Sequence, residues 1–289
     1  MDGVPLDFKR DFKAGFFASL FNDRERGLEL VNALMDGSYP PGTDVEIETL
    51  TDVFFMGIQN DLALLVGNTV LFLGEHQSSV NKTITVRFIS YYGRILEGMV
   101  SRKQTYRQGT LKLARPVFVV LYNGIDPYPA RSVLKLSRSY KEPAAQLEID
   151  SFIELQAVVV NIHAPENEEL IRKSPHLFGY VEVVRRGRDY HAQGMSVQDS
   201  VRKAIQECID EGIIADYLRR HASEVIGMLT EQFNLDDALS ARHADGKDEG
   251  IQIGEERSRR TLRALRDSGI DIKLIINASG LTEEEIKRL

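Results

Sequence analysis

The sequence predicts an α/β protein: a mixed sheet flanked by helices, followed by a small helical tail. Two observations carry this. Apolar residues recur at helical spacing near the N-terminus and again from Thr83 onward, and between and after these stretches lie short runs rich in β-branched and aromatic residues. Helix and strand signals are therefore mixed along the chain.

Phe8 to Leu20 reads as the first helix. In "NDRERGLELVNALMDG", Asn22 or Asp23 is the N-cap of the next, Leu28, Val31 and Leu34 form its apolar stripe, and Gly37 is its stop. "SYPPGT" is a loop, and "VEIETLTDVFFMGI" has the composition of a strand. Two more strands run from Leu62 to Val66 and from Val70 to Gln77. A long amphipathic helix spans Thr83 to about Tyr106, with Ile84, Phe88, Tyr92, Ile95 and Met99 at helical spacing. "RPVFVVLYNG" is a buried strand ending in a tight turn at Tyr122 to Gly124, "LQAVVVNIH" is another, and a mostly helical extension covers Val197 to about Asn234.

The end of the chain differs in character. "ADGKDEGIQIGEERSRR" is charged, spaces Gly246, Gly250 and Gly254 four apart and holds no aromatic residue, so it reads as a linker or a loosely held helix. A boundary near Asp245 divides a domain of residues 1–244 from a tail of 245–289. In that tail Arg257 to Arg266 is a helix carrying five arginines, Asp271 caps a second, and Thr282 with Glu285 forms the capping box of a third. The tail is helix-turn-helix-like or serves oligomerisation.

With 289 residues, 43% apolar and 27% charged, the chain can bury a sizeable core. Its apolar runs fall short of the ~18 residues that cross a bilayer, and its N-terminus lacks the h-region of a signal peptide. These features place it in the cytoplasm with no membrane partner. The single Cys208 excludes an intramolecular disulfide and a zinc site of several thiolates, which leaves metal chemistry to oxygen ligands. A net charge of −7 gives no bulk attraction for nucleic acid. Such a partner would need some of the local clusters Arg102-Lys103, Arg185-Arg186-Arg188 and Arg257 to Arg266, which otherwise read as solvated faces.

The candidate chemistry lies in "NDLALLVGNTVLFLGEHQSS". If Gly67 and Asn68 form a two-residue hairpin loop, Asp61 lies opposite Gly74; if the loop is Gly67 to Thr69, Asp61 lies opposite Glu75. Glu75 and Gln77 share one face of their strand and His76 takes the other. Two carboxylates so placed repel unless a cation lies between them, and magnesium suits one or two carboxylates because it keeps waters and substrate phosphate as its other ligands.

Helix, three strands, Asp at the start of the second and E-x-Q at the end of the third, then a long helix, resembles the restriction-endonuclease-like PD-(D/E)XK fold. The wording "ND…EHQSS…RFISYYGRI", with "VFVVLYNG", "LKLSRSY" and "SGLTEEEIKRL", resembles the Rpn family of recombination-promoting nucleases, also described as PD-(D/E)XK family transposases. The resemblance covers nearly the whole chain.

It implies a magnesium-dependent endonuclease, with manganese able to substitute, that hydrolyses double-stranded DNA in recombination, mobile elements or defence. By it, Asp61 and Glu75 are metal ligands and the carbonyl of His76 is a third. Gln77 stands where many such nucleases carry Lys, and Arg87 is the candidate for the missing cation. On the long helix Arg87, Tyr91 and Arg94 lie at i, i+4 and i+7 along the border of the apolar face. Glu25 and Glu29 are further carboxylates of a kind some nucleases of this fold use, although helix charges more often face solvent. The His76 ring, turned away from the carboxylates, reads as packed or hydrogen-bonded. A homodimer through the tail or the helical extension would supply a site for each strand. The alternative is a catalytically inactive nuclease-fold protein that binds DNA or assembles through its tail; the absent lysine favours it and the intact Asp61 and Glu75 oppose it.

Overall fold

A computed structural model describes residues 15–37, 39–47, 61–101, 109–141 and 153–288, with Asp61 described by its backbone. By contact the chain divides into two compact units, 1–232 and 233–289.

The first unit is α/β, built on a six-stranded mixed sheet in the order β1-β2-β3-β4-β6-β5. Its strands are β1 (Val45–Ile47), β2 (Asp61–Val66), β3 (Val70–Gln77), β4 (Arg115–Tyr122), β5 (Arg131–Lys135) and β6 (Gln156–Asn161). β3, β4 and β6 are parallel neighbours, and the outer strands pair antiparallel to them and to each other. The expected strand at "VEIETLTDVFFMGI" is β1 over its first three residues, and its remainder lies outside the described residues.

Two short helices precede the sheet, α1 (Phe16–Phe21) and α2 (Arg24–Met35). Residues 8–14 of the expected first helix lie outside the described residues. Of the two candidate caps for α2, Asp23 is the one used: its carboxylate accepts from the N–H groups of Glu25 (3.1 Å) and Arg26 (3.0 Å). Helix α3 (Ile84–Met99) ends sooner than its periodicity suggests. Gly98 and the β-branched Val100 weaken the helix there, and Val100 is extended. The rest of the expected span, 102–108, lies outside the described residues.

The two sheet faces are covered differently. Leu71, Leu73, Phe118 and Val120 pack with Ile84, Phe88, Tyr91 and Ile95 of α3 in one buried cluster. Alternate residues turn to the other face, where Phe17 of α1 stacks on His76. Tyr180 meets that ring edge-on, from α5 (Pro175–Ala192). Helix α4 (Glu168–Arg172) precedes α5, and α6 (Val197–Asp210) follows it.

Helix α7 (Ala215–Asp267) is one continuous helix through Gly246, Gly250 and Gly254, so the Gly-spaced stretch is helical. Glu, Lys, Gln and Arg around the glycines are strong helix formers and offset the ~1 kcal/mol that each glycine costs. In the second unit, α8 (Ile272–Ser279) is capped by Asp271, whose carboxylate accepts from Lys273 N. The capping box before α9 (Glu283–Arg288) is formed: Thr282 N donates to Glu285 Oε2 (2.8 Å) and Glu285 N to Thr282 Oγ1 (3.3 Å). No described helix is long and apolar enough to cross a membrane.

Glu29 ties α2 to the start of α5. Its carboxylate accepts from Ser174 Oγ, from His176 N (3.0 Å) and from His176 Nδ1 (2.9 Å), while Ser174 itself caps α5. Burial raises the Glu29 carboxyl, and the hydrogen bonds from His176 and Ser174 outweigh that, leaving it below its ordinary value. A group depressed in this way stabilises the fold above its unfolded pKa and loses that contribution as pH falls through its folded one. Glu29→Gln is therefore expected to cost about 1–2 kcal/mol at pH 7, and the gap should close as pH falls through the acidic carboxylate range. Urea unfolding at a series of pH values measures it.

Candidate active site

The carboxyl ends of β3 and β4 lie side by side because the two strands are parallel and in register through Gln77 and Tyr122. On β2, Asp61 pairs with Glu75 and Val66 with Val70, so the hairpin takes the three-residue loop. Gly67 (φ 53°) and Asn68 (φ 54°) both adopt the left-handed region, which glycine and asparagine tolerate best.

Backbone polarity fixes the kind of pair that Asp61 and Glu75 make. The carbonyls of Thr69 and Gln77 accept from Arg115 N and Asn123 N of the β4 side, so the odd residues of β3 turn their peptide groups toward β4. Glu75 consequently forms a non-hydrogen-bonded pair with Asp61, the type in which opposing Cα atoms approach to ~4.5 Å. The peptide groups of His76 turn the other way, toward the mouth of β2.

Glu75 is 4% exposed, on the face that α3 covers. Two donors meet on its Oε1: Arg87 Nη1 at 2.8 Å and Gln77 Nε2 at 2.6 Å. Gln77 is held in that orientation from behind, because its Oε1 accepts from Asn81 N (3.1 Å). Asn81 in turn takes Thr83 N at 2.9 Å on Oδ1 at the entry to α3. A lysine at this place could not accept that backbone N–H. Arg87 is steadied by Tyr91, whose hydroxyl accepts from Arg87 Nε (3.1 Å) and Nη2 (2.8 Å). Of the three residues expected along the border of the apolar face, Tyr91 is buried, Arg87 is half-buried and Arg94 is exposed.

Arg87 thus meets the carboxylate itself, with its side chain mostly buried. The charge beside Glu75 is balanced at least in part by a protein cation.

The His76 ring is buried on the opposite face and hydrogen-bonded, its Nε2 lying 2.7 Å from Tyr180 Oη. Burial, then the charge of Arg188 and the neighbouring His163, lower its pKa to about 3. Tyr180 also accepts from Asn123 Nδ2 (3.0 Å), and Asn123 Oδ1 lies 2.5 Å from His163 Nε2 and 3.4 Å from Arg188 Nη1. Sequence reasoning missed these partners. Asn123 stood in plain view in "YNG", read there only as a turn.

The other candidates lie elsewhere in the bonding pattern. Glu25 is exposed, and Glu29 is partly buried and bound to Ser174 and His176 rather than to Glu75's partners. Within the second basic cluster, Arg185 pairs with Glu182 and Asp189, and Arg186 with Glu182, Glu207 and Glu211. Arg188 turns inward to Asn123 and His163. This cluster is accordingly a weak candidate for a DNA track. Arg102-Lys103 lies outside the described residues, and Arg259 pairs with Glu255.

Among the described residues no group of three His, Cys, Asp or Glu is spaced to hold a metal ion. The donor chemistry at the β3 end nonetheless suits magnesium: a buried carboxylate, a second acidic residue opposite in register, and a peptide carbonyl, all oxygen. Asp61, Glu75 and the His76 carbonyl are the residues that would hold it.

Arg87 compensates a carboxylate that is almost fully buried, so Arg87→Ala should destabilise the metal-free protein by about 3 kcal/mol. Adding Glu75→Gln to it should recover part of that loss, since the buried charge that Arg87 compensates is then gone. Chemical denaturation of the two single variants and the double variant measures the coupling.

No protein-family model, no curated protein and no solved structure matches the chain.

Proposed function

We propose that the chain is a magnesium-dependent endonuclease with a restriction-endonuclease-like PD-(D/E)XK core, hydrolysing phosphodiester bonds of double-stranded DNA in the manner of the recombination-promoting nucleases. The observation that carries this reading is the pairing of Asp61 with a buried Glu75 at the carboxyl end of β3, beside the parallel end of β4. Ligand sites in open α/β sheets gather at such strand ends. The order α2-β1-β2-β3-α3-β4 supports it further, as does the E-x-Q spacing that joins Glu75 to Gln77 through a hydrogen bond.

Magnesium, when bound, supplies the Lewis acidity for attack of water on phosphorus. The side chains of this chain have separate tasks. Asp61 and Glu75 give the negative charge that recruits the ion. Gln77, fixed by Asn81, presents its amide nitrogen beside Glu75 and orients what binds there. Arg87 keeps a positive charge next to the carboxylate, where charge developing on a phosphate needs compensation. Two copies joined through the tail or the helical extension would offer one site to each DNA strand.

One observation favours a second reading. The Arg87–Glu75 ion pair at 2.8 Å balances the carboxylate without any metal, as expected of a nuclease-fold protein that binds DNA or assembles without cutting. Incubation of the full-length protein with supercoiled plasmid separates the two. On the enzyme reading, magnesium or manganese yields nicked or linear product, chelator prevents it, and Asp61→Asn and Glu75→Gln each abolish it. Retarded but uncut plasmid with either metal would establish the second reading instead.

A further inference from the structure

The face of β3 away from α3 carries a polar chain that the proposed chemistry does not use. It runs from His163 through Asn123 and Tyr180 to His76. Asn123 and Tyr180 are fully buried, and His76 is 4% exposed. Such a chain has a direction, and its direction can be worked out.

Arg188 Nη1 lies 3.4 Å from the Asn123 atom that His163 approaches and 3.3 Å from His163 Nε2, and a guanidinium only donates; a ring nitrogen has one lone pair and could not accept from both neighbours, whereas an amide oxygen can, so the Asn123 atom is the oxygen. The amide nitrogen of Asn123 therefore faces Tyr180 and donates to its oxygen. In that direction the Tyr180 hydroxyl donates to His76 Nε2, 2.7 Å away. His76 is consequently neutral, with its proton on Nδ1, and His163 donates from Nε2 to Asn123. Burial, with the charge of Arg188 behind it, lowers His163 to about 4, in keeping with a neutral ring.

The backbone of the same segment closes on the end of β3. Asn123 N donates to the carbonyl of Gln77 (2.8 Å). At Gly124 a Cβ would stand 2.1 Å from the carbonyl oxygen of Ser78, so only glycine lets the chain lie this close. "YNG" is thus a clamp on "EHQS".

We propose that Asn123 and Tyr180 are positioning residues for the strand end that bears Glu75 and Gln77: Asn123 fixes Gln77 through its backbone and, by way of Tyr180, locks His76, which stands between the two. This rests on the reading of Glu75 and Gln77 as the active strand end. Neither residue reaches the face where the chemistry would occur; both act by holding His76 and Gln77 in place.

The test compares the full-length wild type with Tyr180→Phe and Asn123→Asp, using ¹⁵N spectra of the imidazoles, the side-chain amide resonances of Gln77 without metal, magnesium titration and plasmid cleavage. In the wild type His76 should carry its proton on Nδ1 and His163 on Nε2. Asn123→Asp keeps the backbone N–H but puts an acceptor in place of the amide donor. Tyr180 must then donate to the new carboxylate, and the His76 proton should move to Nε2. Both variants should shift the Gln77 amide resonances and weaken magnesium binding about tenfold. If Tyr180→Phe does not fold, Asn123→Asp carries the test.

A wild-type His76 protonated on Nε2 would overturn the proposal. So would folded variants that melt earlier yet leave the Gln77 resonances in place, because the chain would then only stabilise the fold. A wild type that neither binds magnesium nor cuts plasmid, in which the variants still move Gln77, would refute the nuclease reading and leave the positioning role standing.

Discussion

A carboxylate buried in a sheet must be compensated, and the arrangement around Glu75 follows from that requirement. Ionised and 4% exposed, it would carry a desolvation cost of several kcal/mol with nothing beside it. Arg87 and Gln77 converge on one of its oxygens from two different elements, α3 and β3. This ties the end of β3 to the first turns of α3. Tyr91, one turn further along α3, holds the guanidinium, and Asn81 holds the Gln77 amide. Each of these groups has its partner fixed by another, so the site is organised before any ligand arrives.

The same strand end is constrained from its other face. Alternation along β3 puts His76 among aromatic rings, with Phe17 stacked on it and Tyr180 at its edge, while Asn123 and Gly124 close the end of β4 against Gln77 and Ser78. A site held from both faces of one strand cannot drift by small side-chain rotations. Positioning of this kind is what phosphoryl chemistry asks of a protein, which contributes orientation and charge.

Much of this was legible in the sequence. Hairpin composition narrowed Asp61 to two registers and the α2 cap to Asn22 or Asp23, and the capping residues Asp271 and Thr282 with Glu285 were readable from spacing alone. What escaped was non-local. α5 has two glycines in its body and a polar face mixed with its apolar one, so its periodicity is weak, although Ser174 followed by Pro175 was a readable start. β5 is short, lies at the sheet edge and is largely exposed, which leaves little alternation to detect. The Arg87 partner of Glu75 and the Tyr180 partner of His76 lie 12 and 104 residues away, distances at which spacing rules do not show who meets whom. In the basic cluster at Arg185 to Arg188 the same-helix acids Glu182 and Asp189 lay within reach of spacing rules, but Glu207 and Glu211, which complete the pairing of Arg186, come from another helix.

The account turns on whether the Glu75 end of the sheet holds a divalent cation beside Arg87. Anomalous diffraction from a crystal of the full-length protein grown with manganese addresses this most directly. The account predicts a single strong peak about 2.1 Å from a Glu75 carboxylate oxygen, on the side of Asp61, with Arg87 still adjacent. A Glu75 bonded to Arg87 and Gln77 as here, with no peak near it at saturating manganese, would contradict the account.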